Sequence, residues 1–198
     1  MFIEEEYYDE HFLEAQYSQQ EVTSVRFYDC KFTKCDFSET VFKDCKFSGC
    51  TFENCNLSLI QVLDCDFSQV SFNHSKLIGI NWSEMAPPRK VGSGLLRFEE
   101  CTLSHSTFIG LTLPRSVITK CTAKNVDFRE ADLTEADMSS TDFSESLFER
   151  TNLTAADFSS ATNYMIDPGL NPIRKAKFTL PEAISLLYCM DIQLIDGD

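Results

Sequence analysis

The sequence predicts an all-β solenoid whose chain winds around the four sides of a square, and three observations support this. Every fifth residue from 22 to 82, and again from 98 to 158, is apolar. The residue two positions before each of these is never charged, although 24% of the chain is. A period of five fits neither a helix nor a flat strand. The backbone must therefore turn a corner in every unit of the repeat.

We call the apolar fifth residue the centre of a unit, and the residue two before it the inner partner. The centres hold 14 of the 17 Phe residues and the single Trp. Four units close one coil, and coils stack at the ~4.8 Å spacing of hydrogen-bonded strands. Each coil then buries its apolar side chains against its neighbours. The 26 units predict six to seven coils over residues 21–160.

The first part of the chain, residues 1–20, is predicted to be an N-terminal cap. Its aromatic residues keep the period of five, but Glu5 and Glu10 fall on inner-partner positions. Burying two unpaired carboxylates would be costly. We therefore expect a strand or arm that covers the first coil, without full coils of its own.

A single extruded loop is predicted at residues 83–97. The interval between the centres Trp82 and Phe98 is not a multiple of five, and Pro-Pro and Gly-Ser-Gly sequences lie between them. The segment is basic on an acidic chain, and its candidate contact residues are Pro87, Pro88, Arg89 and Lys90. Two interpretations remain open, a tolerated surface insertion and a loop that contacts a partner.

The C-terminal segment, residues 161–198, is predicted to carry a capping helix. Pro181 and Glu182 suit a first helical turn. An apolar stripe follows, and the end of a β-helix exposes strand edges that must be covered. Capping is the minimal role, and homodimerisation, which covers two ends at once, is the favoured one. The candidate interface residues are Leu180, Ile184, Leu187 and Tyr188.

The chain has nine cysteines, and those in the ladder are predicted to be reduced core residues. Eight of them are inner partners, so they stack on one another from coil to coil. Parallel stacking holds Cβ atoms ~4.8 Å apart, which is longer than a disulfide prefers. The sequence has no Cys-x-x-Cys motif and no Cys/His cluster of zinc type. We expect neither a metal site nor a cofactor.

Charge gives the first indication of function. The chain has a formal net charge of −14, and its densest acidic block is predicted to bind a partner. The alternative is that an acidic surface only keeps the rod soluble. Direct binding of nucleic acid is disfavoured by the same charge. The block consists of Asp127, Glu130, Asp132, Glu135, Asp137, Asp142, Glu145, Glu149 and Asp157.

Catalysis and membrane insertion are not expected. The three histidines are scattered, and no nucleophile elbow, phosphate loop or acid/base pair is present. We therefore predict no catalytic residues. No apolar run is long enough for a transmembrane helix, and the N-terminus lacks the pattern of a signal peptide. The expected location is the cytoplasm.

The units themselves resemble a known family. Cys35-Asp36-Phe37-Ser38-Glu39 and Ala131-Asp132-Leu133-Thr134-Glu135 have the form of pentapeptide repeats. The chain resembles the pentapeptide-repeat family, which implies a right-handed quadrilateral β-helix. The stretches 56–60, 78–82, 163–167 and 178–183 are similar to the branch that contains the albicidin-resistance, quinolone-resistance and microcin B17 immunity proteins, most closely the albicidin-resistance protein.

This resemblance implies a specific partner. Members of that branch are dimeric rods that imitate B-form DNA, bind DNA gyrase and shield it from gyrase poisons. The chain departs from the quinolone-resistance members in having one extruded loop instead of two. Because a fold alone does not define a function, a second hypothesis is kept. It is a non-catalytic β-helical scaffold that binds another protein.

Overall fold

The chain forms a right-handed four-sided β-helix of about eight turns, with one short helix near the C-terminus. A computed structural model describes residues 2, 4–87, 96–190, 192, 194 and 195. The predicted fold class is confirmed. The strands, in chain order, are β1 (Glu6–Tyr8), β2 (His11–Leu13), β3 (Glu21–Thr23), β4 (Arg26–Tyr28), β5 (Lys31–Thr33), β6 (Val41–Lys43), β7 (Lys46–Ser48), β8 (Thr51–Glu53), β9 (Gln61–Leu63), β10 (Asp66–Ser68), β11 (Val70–Asn73), β12 (Leu96–Glu99), β13 (Val117–Thr119), β14 (Asp157–Phe158) and β15 (Lys177–Phe178).

Parallel pairing of these strands builds four faces, numbered by the order in which the chain first visits them. The first face carries β1, β4, β7 and β10, and then single bridges at Thr112, Asp132 and Asn152. The second carries β2, β5, β8, β11, β12, β13, β14 and β15. The third is a column of bridges from Gln16 to Thr162. The fourth carries β3, β6 and β9, and then bridges at Thr107, Asp127 and Leu147.

The corners between faces use left-handed backbone. The corner residue lies two positions after a centre and is usually not glycine. Where a non-glycine corner residue adopts the left-handed conformation, its φ lies between +48° and +63°. For an ordinary L-residue this conformation costs roughly 1–2 kcal/mol. Its N–H donates to a carbonyl of the next coil, as Glu39 does to Ser58 at 2.9 Å. Neighbouring coils therefore hold each corner in place.

The core is the stacked column of centres and inner partners. Of the 52 positions chosen from the sequence, all are buried except Gln20, which is exposed, and Leu111, which is half-buried. Rings stack face to face between successive coils, as in Phe32–Phe52 at 4.5 Å between centroids. The predicted inward pattern is confirmed along the ladder.

The inner partners also have a hydrogen-bonding role that the sequence analysis missed. Their side chains donate to the carbonyl of a centre in the preceding coil. The Thr141 Oγ1–H reaches the Ile118 carbonyl at 2.8 Å, and the Cys45 Sγ–H reaches that of Val22 at 3.2 Å. This explains why Cys, Ser and Thr recur there. The eight inner-partner cysteines are free and buried, and burial raises the pKa of the Cys50 thiol to about 12.

The N-terminal prediction needs a correction, because coils begin well before residue 21. Strands β1 and β2 pair with β4 and β5 in the same one-coil register as the coils that follow. Glu5 and Glu10 are exposed, since no coil covers the outer side of this first turn. The argument from buried carboxylates does not apply at an open end. Phe2 covers part of it, stacking on Tyr17 at 4.3 Å.

The predicted loop boundaries are also too wide. Trp82–Glu84 is a 3-10 turn with Trp82 fully buried, and the Ala86 N–H donates to the Cys65 carbonyl at 3.0 Å. Leu96 already lies in β12, paired with Val70. The coil therefore includes residues on both sides of the predicted loop. Phe72 pairs with Phe98, where an unbroken ladder would pair it with position 92, so the loop adds six residues to this coil.

The C-terminal part extends the ladder before it ends. Phe178 stacks on Phe158 at 5.3 Å, and Tyr164 and Ile166 are buried. A 3-10 turn, Glu182–Ile184, then leads into α1 (Ser185–Tyr188). The additional coils at the two ends account for about eight turns where six to seven were predicted. The sequence of residues 191–195 alternates like a short strand, but residues 191 and 193 lie outside the described residues and the other three form no strand.

Candidate partner-binding surface

The nine acidic residues of the predicted block all lie on the outside of the coils. Five occupy the position just before a centre and are half-buried, and the four glutamates are exposed. The aspartates are held by the turn that follows them. The Thr134 hydroxyl donates to Asp132 Oδ1 at 2.6 Å, and the Ser144 hydroxyl donates to Asp142 Oδ1 at 2.6 Å. Such Asx-type contacts fix the direction of each carboxylate.

The block is distributed over all four sides of the rod. Asp132 lies on the first face, Asp137 and Asp157 on the second, Asp142 on the third and Asp127 on the fourth. The glutamates lie at or next to the corners. The structure therefore does not bring the nine residues together into one patch, because consecutive units point in four directions.

Basic side chains from neighbouring coils partly neutralise the block. Arg115 pairs with Glu135 at 2.8 Å across one coil spacing, and Lys177 pairs with Asp157 at 2.7 Å. Arg150 reaches Glu130 at 3.5 Å and Glu149 at 3.8 Å. Arg115 and Lys177 are absent from the linear block because each is close in space to its partner but a whole coil away in the chain. A search at the spacing of one coil would have found Arg115 and Lys177.

Asp142 is the most strongly stabilised carboxylate in the block. Burial raises its pKa, but hydrogen bonds from Ser144 and Asn163 and the Lys124 ammonium at 3.2 Å outweigh this and lower it to about 2. The Asn163 amide donates at 2.8 Å. The pKa of Asp127 is also lowered, mainly by the Arg129 guanidinium at 2.7 Å. These carboxylates stay ionised at any physiological pH.

Only one of the predicted loop residues can be placed. Pro87 is exposed, and Pro88, Arg89 and Lys90 lie outside the described residues. The described part of the coil ends at Pro87 and begins again at Leu96, which pairs with Val70.

The predicted interface residues lie around the C-terminal helix. Leu180, Leu187 and Tyr188 are exposed, and Ile184 is half-buried. Leu186, on another side of the helix, packs against the core of the rod. The segment therefore has an inner side that covers the last coil and an outer side that is apolar. Self-association through that outer side remains a prediction.

No metal-binding group of three or more His, Cys, Asp or Glu side chains occurs among the residues that the structure describes. Within the same residues, none of the helices has the length and apolar character needed to cross a bilayer.

Comparisons with known proteins agree with this architecture. A family model for a pentapeptide repeat region matches residues 7–86, and one for pentapeptide repeats matches residues 97–134 and 131–162. Two trypsin-treated variants of QnrB1, a plasmid-mediated fluoroquinolone resistance protein, match the fold. The first has 18% identity and a TM-score of 0.65, covering 94% of this chain and 100% of that one. The second has 16% identity and a TM-score of 0.66, covering 93% and 99%.

A search of curated proteins finds no match. At these identities the QnrB1 structures support the fold and leave the function open. The family models, in contrast, cover well over half of the chain and follow the same five-residue units that build the four faces. The chain therefore belongs to the pentapeptide-repeat family.

Proposed function

We propose that this protein is a non-catalytic imitation of duplex DNA that binds a type II topoisomerase, DNA gyrase, and protects it from gyrase poisons. The observation that carries the proposal is a rod with outward carboxylates along its coils, held in place by Asx-type contacts. About eight turns at ~4.8 Å each give a rod about 38 Å long. Its formal charge of −14 suits a surface that normally receives phosphates.

The proposal includes a homodimer. Joining two chains through Leu180, Ile184, Leu187 and Tyr188 would double the rod to about 75 Å. A duplex of that length carries about 45 phosphates at one per ~1.7 Å. The two acidic blocks would lie near the middle of the dimer, because residues 127–157 belong to the coils closest to the C-terminal helix. The exposed apolar side chains of the helix support this arrangement.

The drug class is part of the proposal. QnrB1 is a fluoroquinolone resistance protein, and the stretches 56–60, 78–82, 163–167 and 178–183 resemble those of albicidin-resistance proteins. Protection against an albicidin-type or a quinolone-type poison would follow from the same mechanism, since both are gyrase poisons. Because the partner is a cytoplasmic enzyme, we place the protein in the cytoplasm, without direct contact to nucleic acid.

A supercoiling and cleavage assay tests the proposal. Purified protein is added to gyrase and relaxed plasmid, alone and with either albicidin or ciprofloxacin. We expect reduced drug-stabilised cleavage, and reduced supercoiling at high protein concentration because the protein competes with DNA. Binding should weaken as salt rises, since screening shortens to ~8 Å at physiological ionic strength.

The control is a variant that cannot form the rod, in which Phe143, a fully buried centre, is replaced by Asp. An unpaired charge in the core prevents folding, so this variant should have no effect on gyrase. If the unaltered protein changes neither supercoiling nor cleavage at tens of micromolar, gyrase is not its partner. The alternative, a scaffold for another protein, would then replace this proposal.

A further inference from the structure

One side of the rod exposes apolar side chains that the fold does not require there. Among the described residues from 14 to 164, the large hydrophobic side chains that are exposed are Leu59, Ile109 and Leu147. Leu147 and Ile109 lie on the fourth face, where Thr107 and Leu147 both bridge to Asp127. Leu59 is at the corner where the third face meets the fourth. Single exposed apolar residues are normal, but these three lie on the same side of the rod.

The same side contains a depression with a volume of about 220 Å³. Ile109 contributes apolar surface to it, and two carboxylates and two guanidinium groups surround it, from Arg129, Glu130, Glu149 and Arg150. Gly110, the residue after Ile109, leaves open space at the corner, since a Cβ atom built on it would meet no atom within 4 Å. A shallow site with an apolar patch and charged walls suits a side chain of a protein partner.

Charge is concentrated on this side as well. We define the acidic side as the fourth face together with its two corner columns. Between residues 11 and 160 it carries nine Asp or Glu and three Lys or Arg, a net charge of −6. Over the same described range, the other three faces and two corners carry twelve Asp or Glu and nine Lys or Arg, a net charge of −3. The acids of the acidic side are Glu21, Glu39, Asp44, Asp64, Glu84, Asp127, Glu130, Glu145 and Glu149.

These acids are also less neutralised by the chain itself. Asp127, Glu130 and Glu149 have an ion pair, and the other six acids of the acidic side make none with the described residues. Elsewhere between residues 11 and 160, seven of the twelve acids are paired, for example Glu135 with Arg115. A carboxylate without an ion pair binds a cationic partner at a lower cost in free energy, because no ion pair within the protein has to be broken.

We infer that the acidic side is the docking surface of the rod and that its occupant is the basic, DNA-binding surface of the topoisomerase. This inference rests on the proposed function and specifies which side makes contact. Two acidic corner columns, with Glu39 and Glu145 on one and Asp44, Asp64 and Glu130 on the other, border the fourth face, on which Leu147 and Ile109 are exposed. The columns supply complementarity to lysine and arginine, and Leu147 and Ile109 supply apolar contact that DNA itself lacks.

Matched charge reversals test this assignment. Asp29, Glu39, Glu100 and Glu145 are all exposed corner residues with φ between +54° and +61°. The double variant E39K/E145K changes the acidic side, and D29K/E100K makes the same charge change on the other corners. Binding to immobilised purified gyrase is measured by biolayer interferometry at low and physiological salt. We expect E39K/E145K to weaken binding at least about tenfold, and D29K/E100K by less than about threefold.

A second pair tests the exposed apolar side chains of the fourth face without changing charge. Leu147 on the fourth face and Val117 on the second both occupy the position before a centre. We expect L147Q to weaken binding about tenfold and V117Q to have little effect. If D29K/E100K weakens binding as much as E39K/E145K and L147Q has no effect, the assignment of this side is wrong while the proposed function stands. If the unaltered protein does not bind gyrase, both are wrong.

Discussion

Truncation of a ring in the middle of the rod should cost much more stability than the same truncation at its open end. Phe52 and Phe12 are both centres on the second face, in one stacked column. Phe52 is 1% exposed and stacks on Phe32 at 4.5 Å and on Phe72 at 5.0 Å. Phe12 is half-buried, and within this column it stacks on Phe32 alone, at 4.9 Å.

The expected magnitudes follow from this difference. Phe52→Ala removes a fully buried ring with coils on both sides that cannot collapse, so it should destabilise by about 4–5 kcal/mol. Phe12→Ala removes a ring that already contacts solvent and has one stacked partner, so about 2 kcal/mol is expected. In a solenoid each coil contacts only its neighbours, and an end coil therefore has half the interface.

Urea unfolding followed by far-UV circular dichroism and by Trp82 fluorescence measures both variants. A difference of about 2 kcal/mol separates the two midpoints by about 1 M when m is about 2 kcal/mol/M. The two probes must agree for the comparison to hold. Equal losses of stability for Phe52→Ala and Phe12→Ala would refute the nearest-neighbour reasoning.

Three further predictions concern thiols, pH and assembly. In native protein, Cys50, whose pKa burial raises to about 12, should resist Ellman's reagent for as long as the rod is folded, whereas the half-buried Cys189 should react first; rapid labelling of several thiols would contradict the ladder. Asp142 has a pKa lowered to about 2. The stability that its ionised form contributes is therefore fully present above the pKa of the unfolded state, ~3.9, and is lost as pH falls through about 2. Asp142→Asn should therefore cost about 1–2 kcal/mol in urea melts at pH 7 and much less near pH 2, and an equal cost at both would contradict this. Leu187→Arg should convert a dimer into a folded monomer by light scattering, and a monomeric unaltered protein would contradict the interface.

The inward pattern could be predicted almost completely because it repeats. An uncharged residue at one position says little about burial, but a position that is uncharged in every unit of the repeat can be recognised as buried. The prediction failed at the ends, where repetition stops. Glu5 and Glu10 argue against a coil only if both sides of that coil are covered, yet the first turn has an open side where carboxylates reach water. Near residue 163 the phase shifts by one, and Tyr164 becomes the buried residue instead of Asn163.

The surface was harder to predict than the core. Neighbours on a face are a whole coil apart in the chain, and further apart across the loop, so ion pairs such as Arg115–Glu135 are hidden in a linear count of charge. The dense block at 127–157 is an acidic segment of the sequence, but its members face four directions. The face on which each residue after the loop lies depends on how many residues the loop inserts into its coil. This number therefore also decides which side of the rod holds the unpaired carboxylates. The interval between Trp82 and Phe98 can be read from the sequence, but its division between coil and loop cannot.

The coil length is the same on both sides of the loop, since Phe32 pairs with Phe52 before it and Phe98 pairs with Ile118 after it at the same interval. This fixed length limits which insertions and deletions the gene can tolerate. A deletion of one whole coil shortens the rod but leaves every downstream side chain on its original face. A deletion of a single unit keeps the core pattern intact, yet rotates everything downstream by one side. Asp127 would then move from the fourth face to the third, and Glu39 and Glu145 would no longer line up. Evolution should therefore tolerate indels of single units where only folding matters, and reject them where a continuous surface matters.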